Sequence, residues 1–291
     1  MPELAPAKVN LYLHILGRRS DGYHELQSLV AFADFGDSVT VAARAPQWSL
    51  ALDGPFAEEL GETVADDNLV LRAARRLAAA TPGTTPMALR LHKALPVAAG
   101  IGGGSADAAA AIRLLAGVWG GDPGPPAAWA DLGADIPVCL VSQPSLVQGM
   151  GEQVAPVANL PNLPAVLVNP GVPSATAAVF RALAGRFGRA VEPPLPPDNA
   201  SAVEIAAWLA KARNDLTRPA VAIEPAIGEV LAGIAAAPDV LLARMSGSGA
   251  TCFGLFPSEA QAAAAALWLR ARAPHWWIKQ TVLTSNSATR P

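Results

Sequence analysis

The stretch Pro96-Val97-Ala98-Ala99-Gly100-Ile101-Gly102-Gly103-Gly104-Ser105-Ala106-Asp107 decides how this chain is read. Four of the five residues from 100 to 104 are glycine, and they lead straight into the Ala-rich apolar run Ala108 to Trp119, which reads as a helix. Glycine lets the backbone approach a ligand and take positive φ without a Cβ clash. A helix start offers unpaired N–H groups and the positive end of the helix dipole. Together they make an anion site, and phosphate is the usual guest. No Gly-Lys-Ser/Thr follows, so this is not a P-loop. Ser105 stands sixth from Gly100, which excludes the dinucleotide fingerprint, and no Gly-x-Ser-x-Gly elbow occurs. A flexible turn capped by Ser105 is the weaker reading, because a turn needs one or two glycines and not a run.

The 291 residues are 52% hydrophobic, enough for one large or two ordinary domains with a sizeable core. A net charge of −3 gives no global attraction to nucleic acid or to an anionic membrane. Cys139 and Cys252 sit in apolar runs without metal-ligand spacing, and read as reduced, buried thiols of a cytoplasmic protein. Met1-Pro2-Glu3-Leu4 begins no basic segment with an apolar core behind it, so no signal peptide is expected. No uncharged apolar stretch reaches the ~20 residues of a membrane span. Lysine stands only at 8, 93, 211 and 279; with arginine the default base, each lysine draws notice.

Residues 8–16 alternate, with Val9, Leu11, Leu13 and Ile15 on one face and Lys8, Asn10, Tyr12 and His14 on the other. Period two predicts a half-buried strand, with Lys8 and Asn10 on one side about 7 Å apart. The turn Arg19-Ser20-Asp21-Gly22 opens a segment from Tyr23 to Ala33 that reads as helical. Strands are expected at 39–43, 48–52, 87–92, 145–149, 165–169, 240–244, 251–256 and 276–283. Helices are expected from Asn68, a cap residue, to Ala80, and at 174–183, 202–212, 223–236 and 259–272. The long alanine runs read as helix filler. Pro156 to Pro164 reads as a linker, Arg189 to Asn199 as a Pro-rich loop, and the polar tail from Thr284 as frayed.

Three separated pieces look like parts of one site: Ala5-Pro6-Ala7-Lys8-Val9-Asn10-Leu11, the glycine loop, and Met245-Ser246-Gly247-Ser248-Gly249-Ala250-Thr251. In this order, and across the whole chain, they resemble the GHMP small-molecule kinases. Arg19-Ser20-Asp21-Gly22-Tyr23-His24-Glu25-Leu26, Leu132-Gly133-Ala134-Asp135-Ile136-Pro137, Gly149-Met150-Gly151-Glu152, Pro170-Gly171-Val172 and Asn214-Asp215-Leu216 fit the same family. The Asp21-Gly22-Tyr23-His24 segment is similar to the branch that acts on a cytidyl alcohol, and speaks against the homoserine and mevalonate branches.

The resemblance implies an α+β protein of two domains, residues 1–154 and 155–291. The first has a fold shared with a ribosomal-protein domain, the second is ferredoxin-like, and the active site lies in the cleft between them. It implies ATP-dependent phosphorylation of an alcohol on a small cytidyl substrate, in a monomer or weak homodimer without nucleic-acid or membrane partners. By resemblance Asp135 is the general base and Lys8 the cation. Pro96, Val97, Ala98, Ala99, Gly100, Ile101, Gly102, Gly103, Gly104, Ser105 and Ala106 bind ATP. Asn10 meets the substrate's polyol or phosphate, Tyr23 and His24 its cytosine, with Phe180 a second aromatic. Ser246, Gly247, Ser248 and Gly249 bring backbone N–H groups to the transferring phosphate. Taken without the family, Asp135 reads as a helix N-cap or a turn aspartate, and Ser246 to Gly249 as a hairpin turn. At Gly103 a branched side chain is expected to intrude on the phosphate. Magnesium is expected with the triphosphate, without a dedicated carboxylate cluster; Asp107 and Glu152 are outer-shell options. A ribosomal-protein-like nucleic-acid binder and a catalytically dead homologue are the readings from other classes; the acidic balance opposes the first, and the retained Lys8, Asp135 and loop oppose the second.

Overall fold

A computed structural model describes residues 1–20, 22–61, 67–183, 185, 187, 196 and 198–284. Asp21, most of the Pro-rich loop at 189–199 and the tail beyond Thr284 lie outside the described residues. Among the described residues, ten strands share one sheet. Its N-terminal part holds β1 (Glu3–Arg18), β2 (His24–Arg44), β3 (Ser49–Asp53), β4 (Met87–His92), β5 (Ser145–Gly149) and β6 (Gln153–Pro156). The C-terminal part holds β7 (Leu163–Asn169), β8 (Leu242–Met245), β9 (Cys252–Leu255) and β10 (Trp277–Thr284). The order runs β3-β4-β2-β10-β7-β9-β8, with β1 and β5 also on β2 and β6 on β5. The parts meet where β10 pairs with β7 along its length and, at Leu283 and Thr284, with Ala33 and Phe32 of β2.

Two expectations need correction. Residues 23–33 are not helical: His24 begins the long strand β2, which pairs with β1 on one side and β5 on the other. Leu26, Leu29, Val30 and Ala33 carry helical spacing, but two flanking ladders satisfy the backbone here and override it. Nor is β1 half-buried: Leu11, Tyr12, Leu13, His14 and Ile15 are all buried. A break in its register between Asn10 and Tyr12 lets Leu11 and Tyr12 share one core cluster while Leu13 and Ile15 enter another. The side chains of Lys8 and Asn10 line a cavity instead of bulk water.

Helices pack on this sheet. Asn68 caps α1 (Leu69–Ala80) by accepting the Val70 N–H at 2.9 Å. The glycine loop opens α2 (Gly103–Trp119), in which Ala106 and Ala108 to Ala111 are buried with Ile112 and Leu115. These alanines are therefore core, not filler: their small side chains let α2 approach α1 and β1 closely. Helix α3 (Ile136–Val141) follows. The C-terminal part carries α4 (Thr176–Ala182), α5 (Ala202–Leu209), α6 (Thr217–Ile223), α7 (Ala226–Ala235) and α8 (Glu259–Arg272). Ser201 and Glu204 form a capping box on α5, and Ser258 caps α8. The sequence reading lacked α6, whose Thr-Arg-Pro-Ala-Val-Ala-Ile sets a proline and three β-branched residues among its helix formers; Pro219 is tolerated because it falls in the first turn.

Candidate active site

Lys8 and Asp135, far apart in sequence, meet in space. Lys8 Nζ donates to Asp135 Oδ2 at 2.9 Å. The lysine side chain is 5% exposed and the aspartate 43%, so the carboxylate faces the opening and the ammonium lies behind it. Asp135 is indeed the residue at the cap position of α3, but its side chain caps nothing. An N-cap accepts from the second or third N–H of its helix; here Pro137 removes the first of these, and the carboxylate turns to Lys8 instead. The backbone N–H of Lys8 donates to the Ile101 carbonyl at 2.9 Å, so the same residue joins the glycine loop to β1.

Gly102 is the left-handed N-cap of α2 and has no side-chain cap. The first-turn N–H groups of Gly103, Gly104 and Ser105 therefore carry no side-chain cap, unlike those of α1, α5 and α8, as an anion site at a helix start requires. At Gly100, φ is +74° and a Cβ would lie 2.2 Å from the Gly249 carbonyl oxygen; only glycine fits. Around Gly103 the protein leaves more room than around Gly100. A Cβ there has room, with Lys93 Nζ at 3.6 Å as its nearest neighbour, so a branched side chain would first press on a buried lysine.

The third motif is a hairpin connection between β8 and β9 that also packs against the glycine loop. Ser246 Oγ donates to the Gly100 carbonyl at 3.1 Å, the Thr251 N–H to Ala99 at 3.0 Å, and the Ser174 N–H to Ala98 at 2.8 Å. Asn214 holds the connection's shape, its Nδ2 donating to the carbonyls of Met245 and Gly247, both at 2.8 Å. Next to it, Asp215 accepts the Ile15 N–H at 2.8 Å. The Asn214-Asp215-Leu216 motif thus clamps β1 and the third motif together. Arg244 adds a brace, donating to the carbonyls of Leu11, Leu209 and Ala212; burial lowers its pKa to about 10.

One cavity of about 570 Å³ gathers these parts. Lys8, Asn10, Asp135, Pro96 to Gly100, Gly102 to Ser105, Phe180, Gly247 and Ser248 line it, with Leu60, Leu69 and Leu91 forming an apolar patch. Ile101 and Ala106 point into the core, and Ser246 and Gly249 face the joint with Gly100 and Asn10. Tyr23 and His24 do not line it. Tyr23 is 64% exposed, while the His24 ring lies 5.1 Å from Phe180 and 6.0 Å from Phe187. Burial, and then the Arg18 charge, hold the His24 pKa below its ordinary value, so the ring is neutral at pH 7.

Sequence reasoning missed the group behind the loop. Lys93 Nζ donates to Asp107 Oδ2 at 2.8 Å and to Asp37, all three buried. Asp37 also accepts the N–H groups of Ala94 and Leu95. Burial pushes the Asp107 carboxyl well up; on Lys93 burial acts downward but the two aspartates more than offset it. Only the rarity of lysine hinted at this group. Of the two outer-shell options, Asp107 lines the cavity with Oδ2 engaged by Lys93 and Oδ1 without a partner among the described residues, and Glu152 accepts the Met150 N–H at 2.7 Å. Among the described residues no three His, Cys, Asp or Glu side chains are grouped to hold a metal ion, and no helix is long and apolar enough to cross a membrane. Both cysteines are buried and unpaired by disulfide.

Comparisons with known proteins show the family. Residues 68–155 match the GHMP kinases N-terminal domain and residues 198–275 the GHMP kinases C-terminal domain. A 4-diphosphocytidyl-2-C-methyl-D-erythritol kinase of Paramagnetospirillum magneticum is 52% identical over 286 residues, covering 97% of this chain and 98% of that protein. The protein of the same name from Methylorubrum extorquens is 51% identical, covering 96% and 97%. Among solved structures, a 4-(cytidine 5'-diphospho)-2C-methyl-D-erythritol kinase superposes with a TM-score of 0.75 at 34% identity, covering 97% of this chain and 99% of that one. Homoserine kinase from Cytophaga hutchinsonii shares the fold, with a TM-score of 0.72 at 16% identity over 97% and 93%. With both kinase domains present in an α+β fold and relatives alike along nearly its whole length, the chain belongs to the GHMP kinases, in the family of the 4-diphosphocytidyl-2-C-methyl-D-erythritol kinases.

Proposed function

We propose that this kinase transfers the γ-phosphoryl group of ATP to the 2-hydroxyl of 4-diphosphocytidyl-2-C-methyl-D-erythritol, releasing ADP and the 2-phosphate. The observation that carries the chemistry is the Lys8–Asp135 contact of 2.9 Å, at a cavity shared with the uncapped start of α2. Phosphoryl transfer to an alcohol asks for positioning, charge on the phosphoryl group and a proton acceptor. The first-turn N–H groups of α2 cradle the phosphates. Leu60, Leu69 and Leu91 offer an apolar surface suited to a purine. The Asp135 carboxylate spends one oxygen on Lys8 and retains acceptor capacity for the substrate hydroxyl. As the oxygen attacks phosphorus its proton passes to Asp135, and Lys8 stabilises the negative charge that develops on it.

Magnesium enters in this reading as the ATP chelate, a part of the substrate, held by phosphate oxygens and water. Tyr23, His24 and Phe180 are assigned to the cytosine. The contact of His24 with Phe180 supports the pairing, and the exposed Tyr23 ring offers a face for stacking. In this reading residues 1–154 and 155–291 are the two domains, the first carrying Lys8, the glycine loop and Asp135 and the second Ser246 to Gly249.

An ADP-release assay with the cytidyl alcohol beside homoserine and mevalonate tests the assignment. Turnover of the cytidyl alcohol alone is the expected result. Turnover of either other alcohol in its place reassigns the substrate, and ATP binding without turnover of any alcohol makes the chain a non-catalytic homologue.

A further inference from the structure

Asn10 is 4% exposed and lines the cavity, yet its Oδ1 has no hydrogen-bond partner among the described residues. Its other amide atom is committed: Nδ2 donates to Ser28 Oγ at 2.8 Å. The direction of that bond follows from the next one. Ser28 Oγ lies 2.6 Å from the Tyr12 carbonyl, and a carbonyl can only accept, so the one hydroxyl hydrogen of Ser28 is spent there. Ser28 can then only accept from Asn10, and Asn10 must turn its NH₂ group to Ser28. The reverse orientation would set the amide oxygen against a hydroxyl with no hydrogen left to give.

A second relay fixes the backbone of the same residue. The Asn10 N–H donates to Ser246 Oγ at 3.1 Å, and that hydroxyl donates to the Gly100 carbonyl at 3.1 Å. Two serines thus each stand between an Asn10 donor and an obligate acceptor: Ser28 sets the side-chain amide, and Ser246 holds the backbone that carries it. A buried acceptor left without a donor costs about 1–3 kcal/mol, and a ligand that donates to it removes that cost.

Resting on the function proposed above, we infer that Ser28 is a positioning residue that locks the Asn10 amide with its oxygen toward the cavity. The site beside Lys8 therefore selects a hydroxyl donor of the polyol and disfavours a phosphate or carboxylate oxygen at that point. Lys8 and Asn10 are two residues apart on one strand, about 7 Å by strand geometry, so the hydroxyl held by Asn10 belongs to the reacting end of the polyol. The specificity is negative as well as positive: an acceptor placed there meets a lone pair. Ser28 lies in the segment read from sequence as helical, which is why its role could not be seen before β2 was in place.

The test is steady-state kinetics with ATP and the cytidyl alcohol. Wild-type turnover sets the reference: its absence overturns the functional reading and this inference with it. Given turnover, Ser28→Ala is expected to lower kcat/KM for the cytidyl alcohol about three- to ten-fold, the worth of one neutral hydrogen bond, with the KM for ATP within about two-fold. Ser28→Thr, which keeps the hydroxyl, restores the wild-type value. In an Asn10→Ala background, Ser28→Ala adds nothing, because the serine acts through the amide. Should Ser28→Ala fail to fold, Ser28→Cys, a far weaker donor and acceptor, replaces it in each comparison. Unchanged kcat/KM for the cytidyl alcohol, equal losses on the ATP side, or losses that add in the double variant each overturn the inference and leave the proposed activity standing.

Discussion

Two lysine–aspartate groups flank the glycine loop, and they differ in one respect. Lys93 with Asp37 and Asp107 is nearly sealed, its side chains at most 4% exposed although Lys93 and Asp107 reach the cavity wall, whereas the Lys8–Asp135 pair leaves its carboxylate 43% exposed toward the cavity. The same chemical partners therefore do different work. The nearly sealed group has its cation committed to two aspartates, and its contacts hold α2 and the 93–95 backbone in place. An open pair can trade part of its contact for a substrate hydroxyl, which is what proton transfer needs.

The sharpest way to break this contrast is Asp135→Asn. It keeps the shape and removes the base, so single-turnover phosphorylation should fall about 10²–10⁴-fold while both substrates still bind and thermal stability barely moves. Lys8→Ala should lower turnover too, and the double variant should be little worse than the worse single, since the two act as a unit. Near-wild-type chemistry in Asp135→Asn would make the open pair structural like the sealed one.

At the sealed group the expectation is reversed. Lys93→Met leaves two buried carboxylates without their cation, and should cost about 3–5 kcal/mol of stability in denaturant unfolding. Asp107→Asn should cost much less, because burial already favours the uncharged carboxyl there. If Lys93→Met unfolds like wild type, the group is not the brace of α2 that its burial implies.

The cytidyl side is next in size. Tyr23→Ala removes a stacking face, expected to weaken the cytidyl alcohol about ten- to a hundred-fold with ATP affinity unchanged; the opposite pattern in a binding titration would exchange the two pockets. The smallest effect belongs to His14, which is buried and held neutral, its pKa lowered by burial and then by the Arg213 charge. The unfolded chain takes up a proton near pH 6.5 and the folded one only lower, so stability falls as pH drops below about 6.5. His14→Gln should remove that slope, and an unchanged slope in pH-dependent melting would assign it to other groups.

The same contrast governs how much was legible beforehand. The open pair was readable because Lys8 and Asp135 each sit in a local motif, and the boundaries of β4, β5 and α8 followed from periodicity and flanking turns. The sealed group was not: Asp37, Lys93 and Asp107 carry no common spacing, and only the pairing of β2 with β4 and the approach of α2 bring them together. Residues 23–33 misled because their apolar spacing suits a helix while their place in the sheet is decided by β1 and β5. Asp135 taught the opposite lesson: its cap position was legible, but not that Pro137 would free its carboxylate for Lys8.

The position of β10 between β2 and β7 bears on the order in which the molecule is built. The seam strand leaves the ribosome after both strands that it joins. Until then Lys8, the glycine loop and Asp135 have been made, and so has the Ser246 connection, but β10 is not yet there to seam the sheet. Its side chains finish the junction: Thr281 donates to Asp34, the Val282 N–H reaches the same carboxylate at 3.2 Å, and Lys279 lies 4.2 Å over the Phe35 ring. Such late, long-range closure is slow compared with local contacts. During synthesis the nascent protein would hold the pieces of a kinase for some time before it becomes one.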